Sequence, residues 1–200
     1  MSAQEATVLG AASLTRRSAR IRQALFLVVA LIGLALVLSR VFSPPASTPP
    51  LPAGGWAIDD VLMVGGQPSD RDLADIRDAF HVSAVVNVRA GDMPVEHRSA
   101  ESFGLEYRWL PLEPRERPRV AAVRDLLTLV RTARGRGNAV VIHDANGTER
   151  APLVAAAVLV GLGDSVPTAV RRATHGDADA RASIRQSDLG WLRSLGRALR

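Results

Sequence analysis

Residues 139–161, "AVVIHDANGTERAPLVAAAVLVG", constrain the fold more than any other part of the chain. "AVVIH" is apolar on both sides of a strand, so both faces need cover, as in the middle of a parallel sheet. The segment that follows the turn is a helix of small apolar residues, suited to packing tightly beneath that strand. A strand covered on both faces calls for layers above and below it.

The flanking sequence repeats the alternation of strand and helix. "VLMV", residues 61–64, reads as a short strand, followed by a Gly-Gly turn. Ser69 is the expected N-cap of the next helix, with Asp70 and Asp72 in its first turn and Leu73, Ile76 and Phe80 on one face. Residues 84–88 form a buried strand, and "PVEHRSAESFG" a short helix ending near Gly104. "LEYRWLPL" is another strand. "RVAAVRDLLTLVRTARGRG" is a helix that turns Val120, Val123, Leu127 and Val130 inward and stops at Gly135 and Gly137. Two helices are expected after the central pair, one opened by Pro167 and one over residues 188–199. This pattern over residues 56–200 predicts a three-layer α/β domain with a central, mainly parallel sheet.

The N-terminal part is different in kind. Residues 24–38 are an unbroken apolar run, and extension to residue 42 brings it close to bilayer-spanning length, about 20 residues. The expected organisation is a basic cytoplasmic tail over 1–22, a transmembrane anchor over 23–42, a Pro-rich linker over 43–55 and a globular domain over 56–200. A cleaved secretory signal peptide has the same order of basic and apolar segments and is the rival reading. The length of the run and the lack of an A-x-A-like site after it favour the anchor. Arg16, Arg17, Arg20 and Arg22 precede the run and only Arg40 follows closely. By the positive-inside rule the N-terminus is cytoplasmic and the domain extracytoplasmic. "SPPASTPPLPAGG" is then an extended, semi-rigid tether.

The chain has no cysteine, which excludes disulfides, thiolate metal sites and cysteine nucleophiles. Its formal charge of +5 comes from arginine and permits anionic lipid, nucleic acid or phosphorylated ligands as partners, selecting none of them. Aromatic residues, at 4%, are too few for a base-stacking platform, so no nucleic-acid partner is expected. His81, His97 and His175 lack metal-ligand spacing and read as surface or turn residues; no metal or cofactor is expected. "HGDADARAS" reads as a solvated loop without calcium-loop spacing. Arg89 reads as a structural ion-pair partner at a strand end. The basic C-terminal helix, with Trp191, Arg193, Arg197 and Arg200, either lies against anionic headgroups or stays solvated.

"IHDANGTERAP" resembles the signature loop of cysteine-dependent protein-tyrosine and dual-specificity phosphatases, which runs His, Cys, five residues, Arg. The resemblance extends to "VLMVGGQPSDRDLADIRDAFHVSAVVNVR", similar to the opening of the bacterial dual-specificity branch, and to "YRWLPLEP" and "QSDLGWL" in the same order. It implies a phosphate-binding loop of Ala145, Asn146, Gly147, Thr148, Glu149 and Arg150, oriented by His143. Inward N–H groups and the following helix start make such a loop an anion cup. Arg150 would add a two-donor grip on phosphate oxygens, and Gly147 the backbone freedom of the turn. The plainer reading of "GTER" is a capped helix start with Arg150 solvated.

Asp144 stands at the position of the nucleophilic cysteine. Its oxygens reach one bond further than a thiolate sulfur, and are expected to fold into the cup and accept the N–H bonds meant for phosphate. A charge pair with Arg150 at about 4 Å, in an effective dielectric of about 20, would be worth roughly 4 kcal/mol before desolvation. Glu149 matches a branch of the family that places an acid before the loop arginine, and is equally a first-turn glutamate favoured by the helix dipole. Pro114 falls near the usual general-acid position, with Glu113 and Glu116 beside it, and Ala151 replaces the usual hydroxyl residue. The expected function is a membrane-anchored, catalytically inactive phosphatase-like protein that binds or scaffolds. The alternative is a phosphomonoesterase, acting on phosphoprotein or phosphoinositide, with Asp144 as nucleophile assisted by Arg150 and Glu149. A scaffold with a vestigial pocket is the third reading.

Overall fold

A computed structural model of the chain describes residues 51 and 54–200. The basic tail, the apolar run over 23–42 and most of the linker lie outside the described residues. Among those described, no helix is long and apolar enough to cross a membrane.

Five strands form one sheet: β1 (Trp56–Ala57), β2 (Leu62–Gly65), β3 (Val82–Arg89), β4 (Glu106–Leu112) and β5 (Ala139–His143). Their order across the sheet is β1-β2-β5-β3-β4, with β1 antiparallel to β2 and every other neighbour parallel. The helices are α1 (Asp70–Phe80), α2 (Pro94–Ser102), α3 (Val120–Gly135), α4 (Arg150–Gly161), α5 (Val166–Thr174), α6 (Ala178–Ser183) and α7 (Gln186–Ala198).

The two-residue period of each strand divides the core. Leu62, Val64, Ala84, Val86, Val140 and Ile142 face one way, onto α3, α4, α5 and α7. Met63, Val85, Ala139 and Val141 face the other way, onto Leu73 and Ile76 of α1 and Ala100 of α2. The sheet is thus covered on both faces, a mixed α/β arrangement of three layers. All ten residues from Ala151 to Val160 are buried, as a helix apolar all round must be. Close packing is possible because the residues are small. A Cβ added at Gly161 would stand 2.5 Å from Leu127 Cδ1, so any larger side chain there would force Leu127 to move.

The local signals operate as their chemistry predicts. Ser69 Oγ accepts from Asp72 N while Asp72 Oδ2 accepts from Ser69 N, which closes a capping box at the start of α1. His81 and His175 end α1 and α5 in left-handed conformation, and His97 lies 3.3 Å from Glu101 on α2. Two expectations need correction. "HGDADARAS" contains a helix, α6, rather than a loop throughout, because Asp177 accepts from Ala180 N at 2.7 Å and nucleates the turn. Arg89 makes no ion pair among the described residues; its Nη1 donates to the neutral Oε1 of Gln67 at 2.5 Å.

The polypeptide after β4 is tied to α7 through Asp188, which is 1% exposed. Arg117 Nε and Arg185 Nε donate to its two oxygens at 2.8 and 3.0 Å, and Arg185 Nη2 reaches the carbonyl of Arg115 at 2.9 Å. Burial alone would push the Asp188 carboxyl up, but the hydrogen bonds from Arg185 and Arg117 outweigh it and hold the group below the usual carboxylate range. A depressed folded pKa contributes stability that is present above the unfolded value, about 3.9, and lost as pH falls through the folded value. Asp188→Asn is therefore expected to lower stability near neutral pH by about 2–3 kcal/mol. Chemical denaturation as a function of pH should show a flatter acid limb below about pH 4 in the variant than in the parent chain.

Candidate functional site: an anion cup filled from within

β2, β5 and β3 reach the same end of the sheet, where Gly65, His143 and Asn87 lie side by side in register. The loop that leaves β5 sits at this carboxyl end, the usual location of sites on parallel sheets. The turn after β2 holds it there. Gln67 N donates to Ala145 O at 3.2 Å, Asp144 N donates to Gly65 O at 3.3 Å, and Gly66 bridges to Asn146.

Gly147 has φ +80°, and a Cβ at this position would lie 2.8 Å from both Gly65 C and Gly66 N. The position therefore excludes any side chain twice, by conformation and by contact with the backbone of the neighbouring turn. The loop curls tightly enough that five of its amides converge on one side chain. Asp144 Oδ1 accepts from Asn146 N at 2.9 Å and Gly147 N at 2.6 Å. Asp144 Oδ2 accepts from Glu149 N at 3.2 Å, Arg150 N at 2.7 Å and Ala151 N at 3.0 Å. Three of these donors belong to the start of α4, whose N–H groups have no partner within the helix. The carboxylate is 1% exposed. It satisfies the orphan donors of the helix start and of the turn together.

The side chain of Arg150 does not join it. Its Nη1 donates to Leu112 O at 3.2 Å, and its buried Nε has no partner among the described residues. The expected Asp144–Arg150 pair is absent from the ion pairs of the described residues. Five backbone donors already occupy the carboxylate, and the guanidinium is drawn to the end of β4. Glu149 and Thr148 are half-buried at the loop rim, with no side-chain hydrogen bond among the described residues. Glu113 and Glu116 are exposed; Glu116 Oε2 accepts from Glu113 N at 2.8 Å, so it closes the turn after β4.

Behind the loop lies a buried polar chain that reading the residues in order did not reveal. His143, fully buried, places Nδ1 3.2 Å from Asp144 O. Its Nε2 is 2.6 Å from Glu96 Oε1, a close contact outside hydrogen-bond alignment. Glu96 Oε2 accepts from Gln67 Nε2, and Gln67 Oε1 accepts from Arg89. Asn87 is buried too, donating to Tyr107 OH at 2.9 Å and accepting from Arg89 N at 2.8 Å. Burial pushes the Tyr107 hydroxyl up to about 12, so it stays protonated. The signal for Glu96 was present but ambiguous. An acid in the first turn after Pro94 reads as a helix-dipole partner, and only the fold turns it inward. Among the described residues no cluster of His, Asp and Glu has the form of a metal site.

A mixed α/β sheet of mostly parallel strands, with a His-to-Arg loop at its carboxyl end, defines a fold like that of PTP-type phosphatases. Comparison with solved structures agrees. The chain is similar to PTPMT1, with TM-score 0.63 and 18% identity over 72% of this chain and 95% of that one. It is similar to Tk-PTP in the active form, with TM-score 0.62 and 22% identity over 72% and 96% of the two chains. Human DUSP28 gives TM-score 0.58 and 21% identity over 77% and 99%. No family model and no curated protein sequence matches the chain.

The double exclusion at Gly147 generates a test. Gly147→Ala should destabilise the domain by about 2–4 kcal/mol, measured by urea denaturation, whereas Asn146→Ala at the exposed neighbour should cost under about 1 kcal/mol.

Proposed function

We propose that the protein is a phosphatase-like binding or scaffolding protein in which Asp144 is a built-in occupant of the phosphate cup. On this reading it does not hydrolyse phosphomonoesters, and residues 23–42 anchor it in a membrane with the α/β domain extracytoplasmic. The single observation that carries the reading is the set of five backbone amides bonded to one carboxylate. A free phosphate or phosphomonoester would need those donors. Each charge-assisted bond of this kind contributes about 1.5–3 kcal/mol, so an external anion competes against a tethered one that is already in place.

Two further features support it. The chain lacks cysteine and, with Ala151, the hydroxyl that usually follows the loop arginine. Both oxygens of Asp144 are engaged, which leaves a poor nucleophile, since attack needs a lone pair free and aligned with phosphorus. Among similar folds, PTPMT1 is known in complex with PI(5)P and TpbA of P. aeruginosa in complex with pTyr. A phosphorylated or otherwise anionic ligand is accordingly the class for which the cup was shaped. Here such a ligand would meet the loop rim and Arg150, with the floor closed.

The test is removal of the occupant. Asp144→Ala leaves five converging amides without an acceptor, so it should be destabilised in phosphate-free buffer and recover in phosphate. At saturating phosphate, about a hundred times the dissociation constant, the midpoint of thermal unfolding should rise by about 5–10 °C, while the parent chain should not respond. Aryl-phosphate hydrolysis by the parent chain that is abolished by Asp144→Asn would instead establish the aspartate as a nucleophile.

A further inference from the structure

A groove of about 540 Å³ runs between the C-terminal end of α4, the start of α5 and the face of α7. Its floor is apolar, made by Val160, Val166, Leu192 and Leu199, and its rim carries the exposed Arg193, Arg197 and Arg200. Two more arginines arrive from α3. Arg124 Nη2 donates to Ala198 O at 2.9 Å, and Arg131 Nη2 donates to Gly161 O at 3.4 Å. Both cap the carbonyl end of a helix and so hold their charge beside the groove. The groove's acidic side chain is Asp164, and it is engaged by Arg172 at 2.6 Å. None of the five arginines is in an ion pair among the described residues.

Three arginines lining an apolar floor, with Arg124 and Arg131 bound to neighbouring helix-end carbonyls, call for a partner that is anionic and apolar at once. A nucleic acid supplies the charge, but the floor offers no aromatic ring on which a base could stack. An acidic polypeptide supplies charge, but a run of acidic residues brings no apolar surface to cover Val160, Val166, Leu192 and Leu199. An acidic bilayer surface supplies headgroup phosphates for the arginines and glycerol and acyl carbon for the valines and leucines. We propose that this groove docks on an anionic phospholipid surface, with Arg193, Arg197 and Arg200 against the headgroups. The contact involves neither Asp144 nor the N-terminal segment, so it stands or falls apart from the function proposed above.

Because the chain has no cysteine, Ala198→Cys places a single fluorophore beside the groove, and Val95→Cys, at an exposed site on α2, provides the control. The full chain is presented with phosphatidylcholine vesicles and with vesicles that also contain phosphatidylglycerol, each carrying a headgroup quencher. At low salt, quenching at position 198 should be several-fold stronger with phosphatidylglycerol and should weaken as salt is raised. The triple substitution Arg193→Gln, Arg197→Gln, Arg200→Gln should reduce apparent affinity by at least about tenfold. Position 95 should not distinguish the two lipids. Equal quenching of position 198 in both lipids, or quenching unchanged by the triple substitution, would overturn the proposal. So would a response to a soluble oligonucleotide or polyglutamate with none to acidic vesicles.

Discussion

The carboxylate of Asp144 accepts five backbone N–H groups, and the geometry of the site is organised around that convergence. A loop with this many inward amides is costly to leave empty, because each unpartnered buried donor costs free energy comparable to a lost hydrogen bond. Loops of this shape answer the need with an anion. Here the anion is a side chain tethered to the loop itself. On the proposed reading, the same curl that makes a phosphate cup is retained, while the species at its centre is a side chain of the loop itself.

The scaffold behind the loop serves this arrangement. Parallel strands β2, β5 and β3 bring Gly65, His143 and Asn87 into line, and the turn after β2 braces the loop through Gln67 N and the Gly66–Asn146 bridge. His143, Glu96, Gln67 and Arg89 form a polar chain through the layer beneath. Polar groups this deep are tolerable only when nearly all are partnered. The chain therefore restricts the orientation of the histidine, and with it the carbonyl of Asp144. On the proposed reading, the protein keeps the full structural apparatus of a phosphate loop and changes the chemistry at one position.

Much of this was legible in the sequence. The doubly apolar strand "AVVIH" and the all-apolar helix after it required cover on both faces of a sheet, and their periodicities are the ones that divide the core. The resemblance of "IHDANGTERAP" to a phosphatase signature loop implied a curled loop, with Asp144 as its expected occupant. What the sequence could not carry was direction. Glu96 has the signature of a dipole-compensating first-turn acid, and nothing local says that it turns toward His143. Arg89 was expected to find a carboxylate, yet the nearest acceptor in the folded chain is the amide of Gln67. Arg150 was expected over the carboxylate, yet five amides had satisfied Asp144 and the carbonyl of Leu112 was within reach. In each case the partner is set by elements distant in sequence, which local pattern does not encode. The short helix after Asp177 was missed for a smaller reason: six residues are too few for periodicity to register.

The central claim is that Asp144 stays in the cup in solution and keeps external oxyanions out. The most direct measurement is phosphate titration of the isotope-labelled parent chain, followed by the amide resonances of Asn146, Gly147, Glu149, Arg150 and Ala151. The account predicts that these five signals hold their positions as phosphate is added. Saturable movement of all five, with the carboxylate of Asp144 shifting in step, would mean that the side chain leaves and the cup is open to phosphate, and would contradict it.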